Sequence, residues 1–138
     1  KRFIQKYVMP FHAEWEKDGQ VPRSIWQKAG ELSLLCCNVP EEYGGLGGDF
    51  LHSTILIEEM AHVGATAPAF YLHSDIVAPY LVDFGTEEQK TKWLPKMASG
   101  EVVTALGMSE PSGGSDVQNI KTKAIRDGDE YVITTWRI

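Results

Sequence analysis

Residues 86–108, TEEQKTKWLPKMASGEVVTALGM, contain the point at which the sequence changes from one kind of regular structure to another. The opening TEEQ has the spacing of a capping box, which predicts the start of a helix, and that helix is predicted to end at Gly100. Beyond Gly100 the side chains alternate as far as Met108, which indicates a largely buried strand. The stretch therefore predicts that a helical domain, residues 1–101, leads into the start of a β domain, residues 102–138.

Further helices are predicted before this stretch, because apolar side chains recur at helical spacing between glycines and prolines. They are a helix that ends at Gly19 with Phe11 and Trp15 on one face, a short helix from Pro22 to Gly30, a largely buried helix from Leu51 to Val63, and an apolar helix within residues 67–84 that Pro79 kinks or begins. Residues 36–50 hold two Gly-Gly pairs and are predicted to form a loop around Val39, Tyr43 and Leu46.

Two more strands are predicted near the end of the sequence. Residues 120–126 alternate again, Asp127-Gly128 supplies a tight turn, and residues 131–136 return as the partner strand. The fold class is therefore α+β, with an all-α domain first and the opening strands of a β domain after it. The first and last residues both fall inside regular patterns, so we expect this sequence to be part of a longer protein.

Composition narrows the class of protein. The 138 residues are 43% hydrophobic and 23% charged, as in an ordinary soluble domain, and 13 basic against 19 acidic residues give a net charge of −6. Because the sequence has no basic cluster, we expect no nucleic-acid partner. An apolar stretch of roughly 18–20 residues, the length that crosses a bilayer, does not occur, so we expect no membrane span and a soluble, intracellular protein.

Several residues of the usual catalytic types are better explained as structural. Cys36 and Cys37 are adjacent, and a bridge between neighbours would be strained, so we expect reduced, packed thiols. Glu58 and Glu59 point about 100° apart on a helix and cannot face one bond together. The four histidines are scattered, with no HxxxH pair, so we expect no metal site.

The segment MSEPSGGSD, residues 108–116, is longer and richer in polar groups than a simple turn requires. Its glycines would let a ligand approach the main chain, and its serine hydroxyls and backbone N–H groups could hold a phosphate or a polar heterocycle. Against a bound anion stand the negative charges of Glu110 and Asp116 and the lack of a following lysine as in a P-loop. Residue chemistry alone leaves a plain surface turn and a ligand site both open.

Four stretches together resemble the amino-terminal half of an acyl-CoA dehydrogenase, a flavoenzyme that desaturates acyl thioesters between the α and β carbons. They are VPRSIWQKAG at 21–30, VPEEYGGLGGDF at 39–50, FGTEEQKTKWLPKMASGE at 84–101 and ALGMSEPSGGSDVQNIKTKA at 105–124. The last contains MSEPSGGSD, which matches the family signature (Met/Val)-(Thr/Ser)-Glu-Pro-x-(Ala/Gly)-Gly-Ser-Asp at every fixed position. The segment HAEWEKDGQVPR at 12–23 is most similar to the long-chain group of the family.

The resemblance implies a fold and a cofactor. It implies a helical domain, a middle β-barrel-like domain that starts near Val102, and a four-helix domain beyond the end of this sequence. It also implies that the loop cradles FAD, with Leu106, Met108 and Ser109 in contact with the flavin and Ser115 in contact with both the flavin and the acyl-CoA substrate. Hydrogen-bond donors at the pyrimidine edge of the ring would stabilise negative charge that develops there during hydride transfer.

The activity implied by the resemblance is FAD-dependent α,β-desaturation of an acyl-CoA thioester, with hydride transfer to FAD. The family's catalytic base is a glutamate of the carboxy-terminal domain, so no catalytic residue is assigned within residues 1–138, and these residues alone are expected to be inactive. The implied partners are acyl-CoA, an electron-transfer flavoprotein as acceptor, and copies of the same chain in a tetramer or dimer. The bacterial cytoplasm and the mitochondrial matrix both fit this activity.

Two other interpretations stay open from the sequence. An acyl-CoA oxidase or a flavin monooxygenase of related fold would pass electrons to oxygen, and a non-catalytic helical scaffold would lack the cofactor altogether. The sequence also departs from the family pattern. Ser33 and Cys36 stand where the family usually has small residues, often glycine, and Thr134-Thr135 replaces an Asn-Gly turn. Trp136 is not assigned to the site.

Overall fold

Residues 1–134 are described by a computed structural model of the chain, and residues 135–138, with Thr135 and Trp136, lie outside the described part. The chain divides into two compact units, Lys1–Ala105 and a second that begins at Leu106. The α-helices of the first unit are α1 (His12–Asp18), α2 (Arg23–Glu31), α3 (Phe50–His62), α4 (Ala78–Phe84) and α5 (Glu87–Ala98). The second unit contains two antiparallel strands, β1 (Lys123–Asp127) and β2 (Glu130–Thr134). The predicted class, helices followed by strands, is confirmed.

Helix ends follow the residues that mark them in the sequence. The Thr86 hydroxyl accepts a hydrogen bond from the Gln89 N–H at 3.2 Å, and the Gln89 side chain accepts one from the Thr86 N–H at 2.9 Å, so the predicted capping box opens α5. Gly19 ends α1 with φ 71°. Pro79 lies in the first turn of α4, directly after a π-helical turn at Leu72–Val77, so the predicted helix continues through the proline. Within the described residues, no helix is long and apolar enough to cross a membrane.

Two glycines let α2 and the end of α5 approach backbone to backbone. Helix α2 continues through Glu31, so the prediction that Gly30 stops it is wrong. A Cβ at Gly30 would lie 2.2 Å from the Ser99 carbonyl oxygen, and a Cβ at Gly100 would lie 2.3 Å from the Trp26 carbonyl oxygen. Gly30 is therefore required for close packing, whereas Gly100 meets two requirements, since its φ is also left-handed at 74°.

The core of the first unit is built on aromatic rings and on the inner face of α5. Trp26 meets Phe70 edge to face, with ring centroids 4.9 Å apart at 89°, and Phe3 lies 6.2 Å from the same Phe70 ring. Leu94 and Met97 of α5 are fully buried. The rings hold α2 against the helical turn before α4, and α5 closes the core from the other side.

His73 is a fully buried polar side chain that joins α5 to the segment after it. Its Nδ1 accepts a hydrogen bond from the Thr104 N–H at 3.2 Å, and its Nε2 lies 3.1 Å from the Met97 carbonyl oxygen. Because Nδ1 faces an N–H donor and Nε2 faces a carbonyl, the neutral ring with its proton on Nε2 satisfies both partners. Burial lowers the pKa of His73, which also favours the neutral form.

The segment from Val102 to Met108 differs from its prediction. It has no regular secondary structure and pairs with no strand among the described residues, and Met108 is 65% exposed. Two of its N–H groups bind within the helical unit, because the Val102 N–H donates to the Lys96 carbonyl at 3.0 Å and the Thr104 N–H donates to His73. The prediction of a largely buried strand is therefore wrong for residues 1–134, and these two N–H groups are not available to a strand partner.

Helix α3 and the loop before it are less buried than the sequence predicts. In α3 the inward residues are Ser53 and Met60, whereas Leu51 is 66% exposed and Ile55 is 60% exposed. In the loop Val39 is buried as predicted, but Leu46 is not. Helix α3 carries apolar side chains on more than one face, and the described chain covers only one of these faces. The periodicity identified the helix correctly, but not which of its faces this part of the chain buries.

The hairpin of the second unit has a two-residue loop, Gly128-Asp129, because Asp127 pairs with Glu130. The predicted turn is thus displaced by one residue, and Asp127 is the last residue of its strand. Every residue of β1 and β2 is exposed. The hairpin is therefore held by its ladder of backbone pairs rather than by a core of its own.

The close approach at Gly100 predicts different costs for one substitution at two glycines. At Gly19 an added Cβ meets nothing within 4 Å in the described chain, so Gly19→Ala should cost only the left-handed penalty, about 1–2 kcal/mol. Gly100→Ala adds a clash with the Trp26 carbonyl, so the free energy of unfolding should fall by about 1–3 kcal/mol more. Urea unfolding of the two variants measures the difference, and equal losses would contradict the backbone contact between α2 and the residue after α5.

Burial of His73 predicts a dependence of stability on pH. The ordinary pKa of the side chain is 6.5, and its folded value is lower, so the unfolded chain binds a proton that the folded chain does not. The free energy of unfolding should therefore fall as pH drops below about 6.5 and level off below the folded pKa. Burial raises the pKa of Asp75, whose contribution has the opposite sign as pH falls toward its ordinary value of 3.8.

Unfolding of the wild type and of His73→Gln, each followed from about pH 8 to about pH 5.5, isolates the contribution of His73 as the difference between the two slopes. The wild type should show the steeper loss. Parallel curves would mean that the imidazole is not held neutral.

Candidate functional site

Residues of catalytic type in the helical unit are held in structural roles. Cys36 and Cys37 are both buried free thiols, and burial raises the pKa of Cys36 to about 12, so this thiol stays protonated at neutral pH. Glu58 is exposed, and Glu59 pairs with the Lys1 ammonium at 3.2 Å. Among residues 1–134, no group of three or more His, Cys, Asp or Glu side chains is placed to hold a metal ion.

The loop contains a closed turn at its centre. The Glu110 N–H donates to the Gly113 carbonyl at 2.8 Å, and the Gly113 N–H donates to the Glu110 carbonyl at 3.1 Å. Pro111 and Ser112 form the tip, and proline suits this position because its fixed φ is the one that the turn needs. The chain reverses direction here, so residues 106–109 form one arm of the loop and residues 114–116 form the other.

The Glu110 side chain points into the unit. It is 5% exposed, and its carboxylate accepts hydrogen bonds from the Lys121 N–H at 2.7 Å, from the Thr122 N–H at 3.0 Å and from the Thr122 hydroxyl. The sequence predicts that the negative charge of Glu110 opposes the binding of an anion at the loop. The structure corrects this, because the carboxylate binds backbone donors within the unit.

The second arm of the loop has contacts of its own. The Asp116 carboxylate accepts a hydrogen bond from the Asn119 side-chain amide at 2.6 Å, at a short 3-10 turn formed by Val117–Asn119. The Ser112 hydroxyl donates to the Asn119 carbonyl at 3.3 Å. These bonds tie the tip of the loop to the segment that leaves it, so the loop has internal order.

The four residues assigned from the resemblance all lie on the exposed arms. Leu106 is 38% exposed and Met108 is 65% exposed, and both precede Ser109 on the first arm. Ser115 lies on the second arm and is also exposed. An added Cβ at Gly114 would meet nothing within 4 Å in the described chain, so the backbone beside Ser115 is open to a ligand.

Chemically, the loop combines apolar side chains with hydroxyl donors. Such a set suits a planar ring that has an apolar face and a polar edge. Sequence reasoning missed Glu110 and Thr122 as the residues that hold the loop. The sequence carries no signal for this role, since the bonded groups lie 11 and 12 residues apart and neither follows a known spacing.

Comparison with known proteins identifies close relatives. The family described as "Acyl-CoA dehydrogenase, N-terminal domain" matches residues 1–101. The long-chain specific acyl-CoA dehydrogenase of Mus musculus mitochondria is 45% identical over 133 residues, which cover 96% of this chain and 31% of the mouse protein. The mitochondrial isovaleryl-CoA dehydrogenase of Bos taurus is 38% identical over 135 residues, which cover 96% of this chain and 32% of that protein.

Solved structures agree with these matches. An acyl-CoA dehydrogenase from Geobacillus kaustophilus superposes with a TM-score of 0.91 at 48% identity, over 97% of this chain and 35% of that one. An acyl-CoA dehydrogenase complexed with FAD, from Bacillus anthracis, gives 0.80 at 36% identity, over 95% of this chain and 23% of that one. The chain spans about a third of the length of the mouse and bovine relatives. The matches over residues 1–101 and over nearly the whole chain confirm the resemblance seen in the sequence, and the chain belongs to the acyl-CoA dehydrogenase family.

Proposed function

We propose that this chain is part of an FAD-dependent enzyme that desaturates acyl-CoA thioesters between the α and β carbons. The observation that carries the proposal is the loop at 108–116, whose sequence fits the family signature and whose closed turn leaves Ser109 and Ser115 exposed on its two arms. The FAD-bound relative from Bacillus anthracis supports the choice of cofactor. Because the chain spans about a third of its relatives, the activity is proposed for the whole protein.

The proposed contacts follow from the residue types on the two arms of the loop. Leu106 and Met108 would pack against the ring, Ser109 would donate to its pyrimidine edge, and Ser115 would lie between the cofactor and the acyl-CoA. Donors at that edge stabilise negative charge as it develops on the ring. Bound FAD supplies the acceptor for the hydride that leaves the β carbon. The Glu110 carboxylate is buried, so its negative charge does not face a negatively charged group bound at the exposed arms.

The remaining parts of the reaction are proposed to lie outside these residues. In the family, a glutamate of the carboxy-terminal domain removes the α proton, so residues 1–138 would contribute cofactor binding and no proton transfer. Electrons would leave through an electron-transfer flavoprotein, and the enzyme would assemble as a tetramer or dimer.

The complete protein, purified and saturated with FAD, tests this proposal. It should retain the visible absorbance of a bound flavin, and anaerobic addition of acyl-CoA should bleach that absorbance. Bleached enzyme should pass electrons to an electron-transfer flavoprotein faster than to oxygen. Failure to retain FAD would favour the non-catalytic scaffold, and rapid oxygen consumption would favour an oxidase or a monooxygenase.

A pair of serine variants tests the loop itself. Ser109→Ala should weaken FAD binding by about three- to tenfold, because one hydrogen bond is worth about 0.5–1.5 kcal/mol. Ser24→Ala is the matched control, since it makes the same exchange at an exposed residue of α2 that has no proposed contact with FAD. Titration of the apoprotein with FAD, followed by flavin fluorescence, measures both. Equal dissociation constants for the two variants would contradict the assignment of Ser109.

A further inference from the structure

Among the described residues of the second unit, the most buried side chain is a carboxylate. Between residues 106 and 134, Glu110 and Gly113 are the two buried residues, and Gly113 has no side chain. Apolar residues of the same unit, such as Ile125 and Ile133, are 60% and 66% exposed. A buried carboxylate is unfavourable unless hydrogen bonds replace the water that it loses, so its position calls for an explanation.

Hydrogen bonds from one short segment contribute to that compensation. The N–H groups of Lys121 and Thr122 are consecutive donors, and the Thr122 hydroxyl is a third. All three donors point toward the Glu110 side chain. An ionised carboxylate suits them because both of its oxygens accept hydrogen bonds, whereas one end of an amide is itself a donor. The segment lies directly before β1, so the side chain joins the loop to the base of the hairpin.

The same residue also closes the turn with its backbone. Its N–H and carbonyl pair with Gly113, while its side chain fixes the turn to residues 121 and 122. The turn separates the two arms that carry Ser109 and Ser115. Movement of Glu110 would therefore displace both arms together.

We propose that Glu110 is a positioning residue for the cofactor site, which rests on the proposed function of the loop as an FAD site. It touches neither cofactor nor substrate. Its buried carboxylate anchors the turn, and the anchored turn sets the arms at the separation that the flavin requires. This explains why the signature has a glutamate beside the ligand-binding serine although its charge is not presented to the ligand.

The experiment compares the complete wild-type protein with Glu110→Gln, Thr122→Val and the control Glu130→Gln. The control makes the same exchange at an exposed residue of β2. Two quantities are measured, namely amide hydrogen exchange at Lys121 and Thr122 and the dissociation constant for FAD. Glu110→Gln should lose about tenfold or more of the protection at these amides and bind FAD about tenfold more weakly, because the amide nitrogen of glutamine faces a donor.

Thr122→Val removes the hydroxyl and keeps both N–H groups, so its two effects should be smaller, about two- to threefold. Glu130→Gln should change neither quantity. Loss of protection without weaker FAD binding in Glu110→Gln would overturn the positioning role, and so would unchanged protection. A wild-type protein that binds no FAD would instead overturn the proposed function, and with it any role of Glu110 toward the cofactor.

Discussion

A neutral imidazole, enclosed in the helical unit, fixes the path of the chain as it leaves the last helix. His73 accepts from the Thr104 N–H on one side and faces the Met97 carbonyl on the other. Only one protonation state and one tautomer meet both partners. The aromatic packing around Trp26 and the glycine contact between α2 and Ser99 bring α5 near enough for this arrangement. Helix packing thus determines where the segment toward the loop begins.

The second unit is ordered in a different way. Where the helical unit has rings and aliphatic side chains, residues 106–134 bury a carboxylate and surround it with backbone donors. Polar contacts of this kind are directional, so they fix a loop more narrowly than apolar packing would. The same contacts also explain how a glutamate can stand in an otherwise donor-rich loop. Its carboxylate accepts hydrogen bonds from the Lys121 and Thr122 N–H groups, which compensate its charge locally.

Local chemistry explains which features the sequence predicted well. The capping box at Thr86 and the left-handed glycines at helix ends act over three or four residues, so the sequence alone predicts them. Three other features depend on contacts between distant residues, and the sequence did not predict them. Gly30 serves a contact with Ser99, the Val102 and Thr104 N–H groups bind α5 and His73, and the Glu110 carboxylate lies 11 residues from its Lys121 donor. The residues of the signature were assigned from the resemblance to a family, whereas the hydrogen bonds of the Glu110 side chain are seen only in the structure.

The uncovered side of α3 affects how this polypeptide should be handled. Leu51 and Ile55 are exposed within one helix, and the hairpin adds exposed aliphatic residues. Among the described residues, β1 and β2 pair only with each other, so their outer edges have no partner strand. Surfaces of both kinds favour self-association. A preparation of these residues would therefore tend to form oligomers at the concentrations used for NMR or crystallisation. A solubilising fusion partner is the appropriate way to obtain a monodisperse sample.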